Sequence, residues 1–242
     1  MKKVISFSVY GNNQMYLLGA IENAKLKKLF FPDWHSTFYV AEKLKGSFAN
    51  ELSEYADQIQ FVEGVEDPRA MFWRFLPAAD SNNDAVIVRD VDSRLNAKDL
   101  SAVNEWLHSG KALHVIRDHP MHNAPILGGL WGIRPATLPE LRQSLSSFIP
   151  RGYYGEDQEF LRKYVYDPLR TNCFVHDEIF LRNLRAHKFL VKNLDGGYLG
   201  ESFSDLGETN EALRNMRNET MNSRIMLSKV KIKSILMKVL GK

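Results

Sequence analysis

The chain has 242 residues with a net charge of +3, 44% hydrophobic and 25% charged residues, the make-up of a soluble globular protein. That charge is too small to imply nucleic-acid binding, and the single cysteine, Cys173, excludes an intrachain disulfide and a cysteine-based metal site and fits a reducing compartment. Met1–Ser8 carries two lysines before an apolar run too short for a signal peptide, and nothing approaches the ~20 apolar residues of a membrane span, so the expected location is cytoplasmic, or peripheral at the inner face of a membrane.

Val4–Val9 is β-branched and alternating, a first strand that stops at the turn signal Tyr10-Gly11-Asn12-Asn13. Residues 14–29 carry helical spacing, and Ser36–Val40 reads as a second strand. Glu42–Tyr55 has helical composition interrupted by Gly46, and Ile59–Val62 is a third short strand. Asp67-Pro68 opens a helix holding Met71, Phe72, Trp73, Phe75 and Leu76, with Pro68 at a first-turn position. Ala85–Val88 is a fully apolar strand, Ala97–His108 a helix capped by Asn96 and ended by Gly110, and Ala112–Ile116 another strand. This alternation predicts an α/β fold: a mostly parallel central sheet flanked by helices. Ligands of such sheets bind beyond the carboxyl ends of the strands.

The second half is less regular. His119–Arg134 reads as a loop dense in Gly, Pro and His; Leu138–Phe148 and Gly155–Tyr166 read as helices, and strand-like and loop pieces follow to about residue 208. Residues 1–208 are expected to form one domain, with 1–116 as the nucleotide-binding half and 117–208 as the acceptor-side half. In 220–242, Arg224, Lys229, Lys231, Lys233, Lys238 and Lys242 occur with no acid. Ile225, Ile232, Ile235, Leu236 and Val239 share one helical side. The stretch 209–242 therefore predicts a basic amphipathic helix that contacts a membrane surface, docks on the domain or joins two copies.

The chemistry concentrates where the fourth strand runs out, in Val88-Arg89-Asp90-Val91-Asp92-Ser93-Arg94. Two carboxylates one residue apart offer oxygens to a hard divalent cation, and Arg89 and Arg94 offer forks suited to phosphate. The other reading is a solvated turn with an Asp cap. Arg74 stands among aromatic residues and reaches a diphosphate or snorkels. His119 and His122 bind metal or hold their loop in shape. Gly128-Gly129 suits close backbone approach to a ligand or strand, and Trp131 is a face for a sugar ring or a core plug. Glu156 and Asp157 begin a helix, as caps or as carboxylates aimed into a cleft. His176 follows an apolar pair, as a late metal ligand or a core histidine.

Taken in order, these motifs resemble a glycosyltransferase of the GT-A (nucleotide-diphospho-sugar transferase) type. They are the first strand and its turn, Phe72-Trp73-Arg74-Phe75-Leu76, Arg89-Asp90-Val91-Asp92-Ser93-Arg94, Ile126–Gly132 and Gly155–Leu161. Arg-Asp-x-Asp-Ser-Arg followed by Arg117-Asp118-His119-Pro120 is similar to transferases of bacterial and viral polysaccharide clusters. The resemblance implies transfer of a sugar from a nucleoside diphosphate sugar to a hydroxyl of a glycan or lipid-linked acceptor, without nucleic acid. It implies Mn²⁺ or Mg²⁺ on Asp90, Asp92 and His176, and a donor site of Val9, Tyr10, Asn12, Arg74, Arg89, Asp90 and Arg94. It also implies acceptor contacts at His119, Gly128, Gly129 and Trp131, and catalysis by Asp157 or Glu156. The rivals are a non-catalytic nucleotide- or sugar-binding member of the same fold and a haloacid dehalogenase-type phosphatase. The latter wants its Asp pair on the first strand, with Thr or Val where Arg94 stands.

Overall fold

A computed structural model describes residues 1–65, 67–180, 186–193 and 195–224. Seven strands form one sheet: β1 (Lys3–Val9), β2 (His35–Ala41), β3 (Gln58–Val62), β4 (Ala85–Arg89), β5 (Leu113–Arg117), β6 (Leu130–Ile133) and β7 (Cys173–Asp177). Their order across the sheet is β3-β2-β1-β4-β6-β5-β7. β6 runs antiparallel to both its neighbours, and every other pairing is parallel. The expected mostly parallel α/β sheet is the one observed.

The apolar strands are buried on both faces because consecutive side chains point to opposite sides. Ile5, Phe7 and Val9 of β1 meet Ile87 and helix residues Ile21, Val103 and Trp106 on one face. Val4, Val86 and Val88 meet Phe75, Trp131 and Phe160 on the other. Helix α1 (Gln14–Phe30) starts where Asn13 accepts from the Met15 amide at 3.0 Å. Helix α3 (Ala97–Ser109) starts where Asn96 accepts from the Asp99 amide at 3.0 Å, and it ends on Gly110 at φ 68°. Between them lies the short α2 (Ser47–Ser53), and α4 (Leu141–Ser147) and α5 (Glu156–Leu161) follow the sheet's centre.

Two elements depart from expectation. Pro68–Ala79 is a 3-10 helix rather than an α-helix. Phe72, Phe75 and Ala78 are all buried at a spacing of three, the period of that helix, and Pro77 has no amide for an α-helical bond. The stretch 119–134 is not all loop, since it contains β6, inserted between β4 and β5. Its period-2 signature is missing because all four residues are buried, one of them glycine. A Cβ on Gly132 would lie 2.9 Å from Ile87 and 3.0 Å from Trp106, so the strand needs that glycine to pass beneath α3.

Residues 211–224 are helical and are held by charge: Arg214 reaches Glu201 and Asp195, and Arg217 reaches Asp118. The remainder of the expected amphipathic tail, 225–242, lies outside the described residues. No helix among the described residues is long and apolar enough to cross a membrane.

Candidate active site

Parallel pairing of β1 with β4 sets Ser6 beside Val88, so Tyr10 and Asp90 leave the sheet at the same edge. A cleft of about 300 Å³ opens there. Its walls come from that edge (Ser8, Tyr10, Asp90, Asp92), the 3-10 helix (Met71, Arg74), the approach to β6 (Leu127, Gly128) and the start of α5 (Asp157, Gln158).

Arg74 is its hub. Its backbone amide donates to Ser8 Oγ at 3.0 Å, which fixes the 3-10 helix to β1. Its guanidinium pairs with Asp90, and its Nη2 donates to Asp157 Oδ2 at 3.0 Å. Arg74 Nε is buried with no hydrogen-bond partner among the described residues. One cation thus joins two carboxylates, and Asp92 remains as a third. Burial and the neighbouring Asp90 push the Asp92 carboxyl up to about 6. Burial also raises the Asp157 carboxyl against the pull of Arg74, with Asp90 adding to the rise. Tyr10 is pushed up to about 12 and His122 down to about 4, both mainly by burial, so each is neutral at pH 7. The cleft therefore carries an acidic surplus.

The glycine pair serves this cluster. A Cβ at Gly129 would run into the Asp90 carboxylate, and one at Gly128 into Asp157 and Arg74. The backbone lies this close because Gly129 sits opposite the end of β4, where a Cβ would also meet the Asp90 amide nitrogen at 2.8 Å, so the neighbouring strand is one of the approaches expected of the pair. Only glycine leaves that space.

The other expected residues are elsewhere. Arg89 is 2% exposed, and its fork closes on Asp99 at 2.8 and 2.6 Å, beneath the cleft instead of in it. Arg94 donates to the carbonyls of Val91 and Ser93 and lies 4.9 Å over Phe203. Val9 is buried in the core, and Asn12 is exposed on the turn without lining the cleft. Trp131 is the core plug: fully buried in β6, it donates to the Gly128 carbonyl at 3.1 Å and meets Phe75 edge to face. His119 is 1% exposed, donates to the Leu213 carbonyl at 2.9 Å and stacks on Tyr198, tying the loop to residues 211–224.

His176 is the core histidine. It lies on β7, beyond β6 and β5 from the aspartates, and shares a 2.9 Å hydrogen bond with the buried His114. Among the described residues, no three His, Cys, Asp or Glu side chains come together as a metal-binding group. Glu156 is 3% exposed and accepts from the Arg151 and Gly152 amides at 2.7–2.9 Å, latching its own loop. Its neighbour Asp157, one residue further round the helix, faces the cleft.

The cleft also holds residues to which the sequence assigns no role. Tyr16, at the start of α1, is close to both aspartates, and its only signal is its place one turn beyond the first strand's turn. Tyr154 and Gln158 flank Asp157 at the mouth. Gly200 comes from a segment about 70 residues beyond β6, which no local pattern connects to the site.

No protein-family model matches this chain, and no curated protein matches it in sequence. Solved structures do. A mannosyltransferase from Pyrobaculum calidifontis, in complex with GDP-Man and Mn²⁺, is 13% identical with a TM-score of 0.50, over 75% of this chain and 58% of that one. A glycosyltransferase involved in glycosylation of the major capsid of PBCV-1 is 16% identical with a TM-score of 0.46, over 75% and 84%. The first of these likenesses and the strand order together give the fold: that of the nucleotide-diphospho-sugar transferases, the GT-A arrangement.

Proposed function

We propose that this chain is a metal-dependent glycosyltransferase. It moves a sugar from a nucleoside diphosphate sugar to a hydroxyl of a glycan or lipid-linked acceptor, in the building of a polysaccharide. One observation carries the reading: Asp90, Asp92, Arg74 and Asp157 line a single cleft at the carboxyl ends of the strands, with more carboxylate than cation.

That surplus is the test of fit for Mn²⁺ or Mg²⁺. The Asp92 carboxylate has no side-chain partner among the hydrogen bonds and ion pairs of the described residues, and it is raised by burial and then by its proximity to Asp90. Two carboxylates are few ligands for such an ion, which suits a site completed by substrate phosphates and water. Asp90 and Asp92 would hold the ion, without His176. When bound, it supplies charge to neutralise the leaving diphosphate.

The protein's own groups do the rest. Arg74 orients Asp90 and Asp157 at once and sets its charge beside both carboxylates, where a leaving diphosphate would gain it. Tyr10 and Tyr16 offer neutral aromatic faces in the cleft on which a nucleoside would rest. Asp157 receives a sugar hydroxyl, and its raised carboxyl brings it closer to the basicity needed to take that hydroxyl's proton. A neighbour of the same fold was solved with GDP-Man and Mn²⁺, the same ligand class.

The test is a thermal shift with a panel of nucleoside diphosphates, with and without Mn²⁺, on the wild type and on Asp92→Ala. The expected result is a shift for one nucleotide that needs Mn²⁺ and vanishes in the variant. No shift with any nucleotide would sink the reading. A shift without turnover of the matching nucleotide sugar would put a non-catalytic binding protein in its place.

A further inference from the structure

The loop between α4 and α5 is a ridge with the cleft on one side and a second concavity on the other. This outer groove, about 520 Å³, is lined by Phe148, Ile149, Arg151, Tyr153, Lys163 and Tyr164, together with acids of α5. The two hollows share the start of α5: Asp157 and Gln158 face the cleft, while Glu156 and Glu159 face the groove. Tyr154 and Tyr153 divide in the same way. Tyr154, 95% exposed, stands at the cleft mouth, and Tyr153, 43% exposed, stands in the groove.

Several features of this groove suit a ligand. Ile149 is 84% exposed beside it, an apolar side chain left in water. The Tyr153 ring is pre-set, because its hydroxyl donates to Glu159 at 2.5 Å. Tyr164 packs at 4.8 Å from Phe160 underneath and has the Lys163 ammonium 4.8 Å from its ring. Flat rings beside hydrogen-bonding side chains match a sugar, which has apolar C–H faces and a hydroxyl rim. Two cations, Arg151 and Lys163, stand against two carboxylates, Glu156 and Glu159. That balance gives nothing to draw a phosphate or an acidic chain.

We infer that this groove is an outer acceptor subsite for a neutral glycan chain. The chain would cross the Tyr153–Tyr154 ridge so that its end lies at Asp157 and its earlier sugars rest on Tyr153 and Ile149. The inference rests on the transferase reading and narrows its acceptor to a chain of several sugars.

The experiment probes an array of neutral oligosaccharides, from one to six sugars, with the full chain. It is run with the protein alone and again with Mn²⁺ and a nucleoside diphosphate. Retention should rise with chain length and fall roughly fivefold or more in Tyr153→Ala, and likewise in Ile149→Ser, both on exposed positions that leave the core intact. Retention independent of length, retention unchanged in both variants, or no retained glycan would overturn the inference. So would a dimer that Tyr153→Ala dissociates, since a second copy would then fill the groove. The Mn²⁺-dependent nucleotide shift is read on the same samples. Its absence in the wild type is the separate failure of the transferase reading, and its persistence in both variants shows that only the groove was altered.

Discussion

The dipeptide Arg-Asp occurs at the ends of two strands of this sheet, with opposite outcomes. Arg89-Asp90 closes β4 and Arg117-Asp118 closes β5. In both the arginine is buried on another aspartate, Arg89 on Asp99 and Arg117 on Asp177. The aspartates then part. Asp118 is fully buried and fully answered: it pairs with Lys98, accepts from the Leu199 amide at 2.8 Å and takes Arg217 at 2.6 Å. Asp90 is 40% exposed in its side chain, shares one arginine with Asp157 and has Asp92 beside it. A closed charge network ties residues 195–224 to the sheet, whereas the one at Asp90 is open to the cleft. Burial and partner count distinguish the two sites; residue type does not.

The largest effect that would break this contrast lies at the closed site. Asp118→Ala leaves Lys98 and Arg217 without their carboxylate, and should cost ~3–5 kcal/mol of stability in urea unfolding. Asp90→Ala should stay within about 1 kcal/mol of wild type, because the cleft is solvated and Arg74 keeps Asp157. Equal losses at the two positions would end the distinction. Next comes Gly129→Ala, whose methyl must displace the Asp90 carboxylate. A roughly hundredfold fall in turnover is expected from that misplacement, with the fold retained by circular dichroism. Wild-type turnover would mean that Asp90 does not need its place.

Much of the fold was legible, for a physical reason. The strands of the first 116 residues are short β-branched or apolar runs bounded by turn residues, and the two long helices between them start on Asn13 and Asn96 caps, so composition and punctuation agree. The site was legible only as far as local sequence carries. Asp90 and Asp92 stood out through their context, two carboxylates at the end of a fully apolar strand with Arg89 and Arg94 on either side, since the pair alone reads equally as a solvated turn. Arg89 could not be told from Arg74, since both are arginines beside apolar residues; only the sheet shows that one fork faces Asp99 and the other Asp90. Glu156 and Asp157 are adjacent on one helix turn, and the roughly 100° between them decides which is a latch and which lines the cleft. Trp131 and His176 were read with two alternatives each, and burial selected the core reading for both. β6 escaped because it is four residues long, is interrupted by Gly132 and follows the turn signals Pro125 and Gly128-Gly129, so a short apolar run there reads as loop.

A smaller effect sharpens the contrast from the core side. His176 is held down to about 3 by burial, with His187 adding to the fall, against an ordinary value of 6.5. Its folded-state value is depressed, so the native state prefers the neutral ring. The stability this group contributes is full above 6.5 and is lost as the pH falls through the window down to about 3. His176→Gln should flatten the acid limb of the melting-temperature profile across that window. An unchanged limb would place the acid sensitivity elsewhere, with His114 the next group to test.

The last prediction turns on the Asp92 carboxyl. Its value rises from 3.8 to about 6 on folding, so the native state binds the proton more tightly than the unfolded chain does. The resulting stability is fully present below 3.8 and is lost as pH rises through about 6. Asp92→Asn imitates the protonated form at every pH. Without metal, the variant should match the wild type near pH 4, and its melting temperature should exceed that of the wild type increasingly as pH rises to 7. Addition of Mn²⁺ at pH 7 should close or reverse the gap, because the ion binds the wild-type carboxylate and raises its stability by mass action, and has lost a ligand in the variant. At pH 5 the same addition should do much less, since the proton holds the site. A gap that is constant with pH would show that Asp92 is not perturbed. A gap indifferent to Mn²⁺ at pH 7 would show that the repulsion between the two aspartates serves no cation.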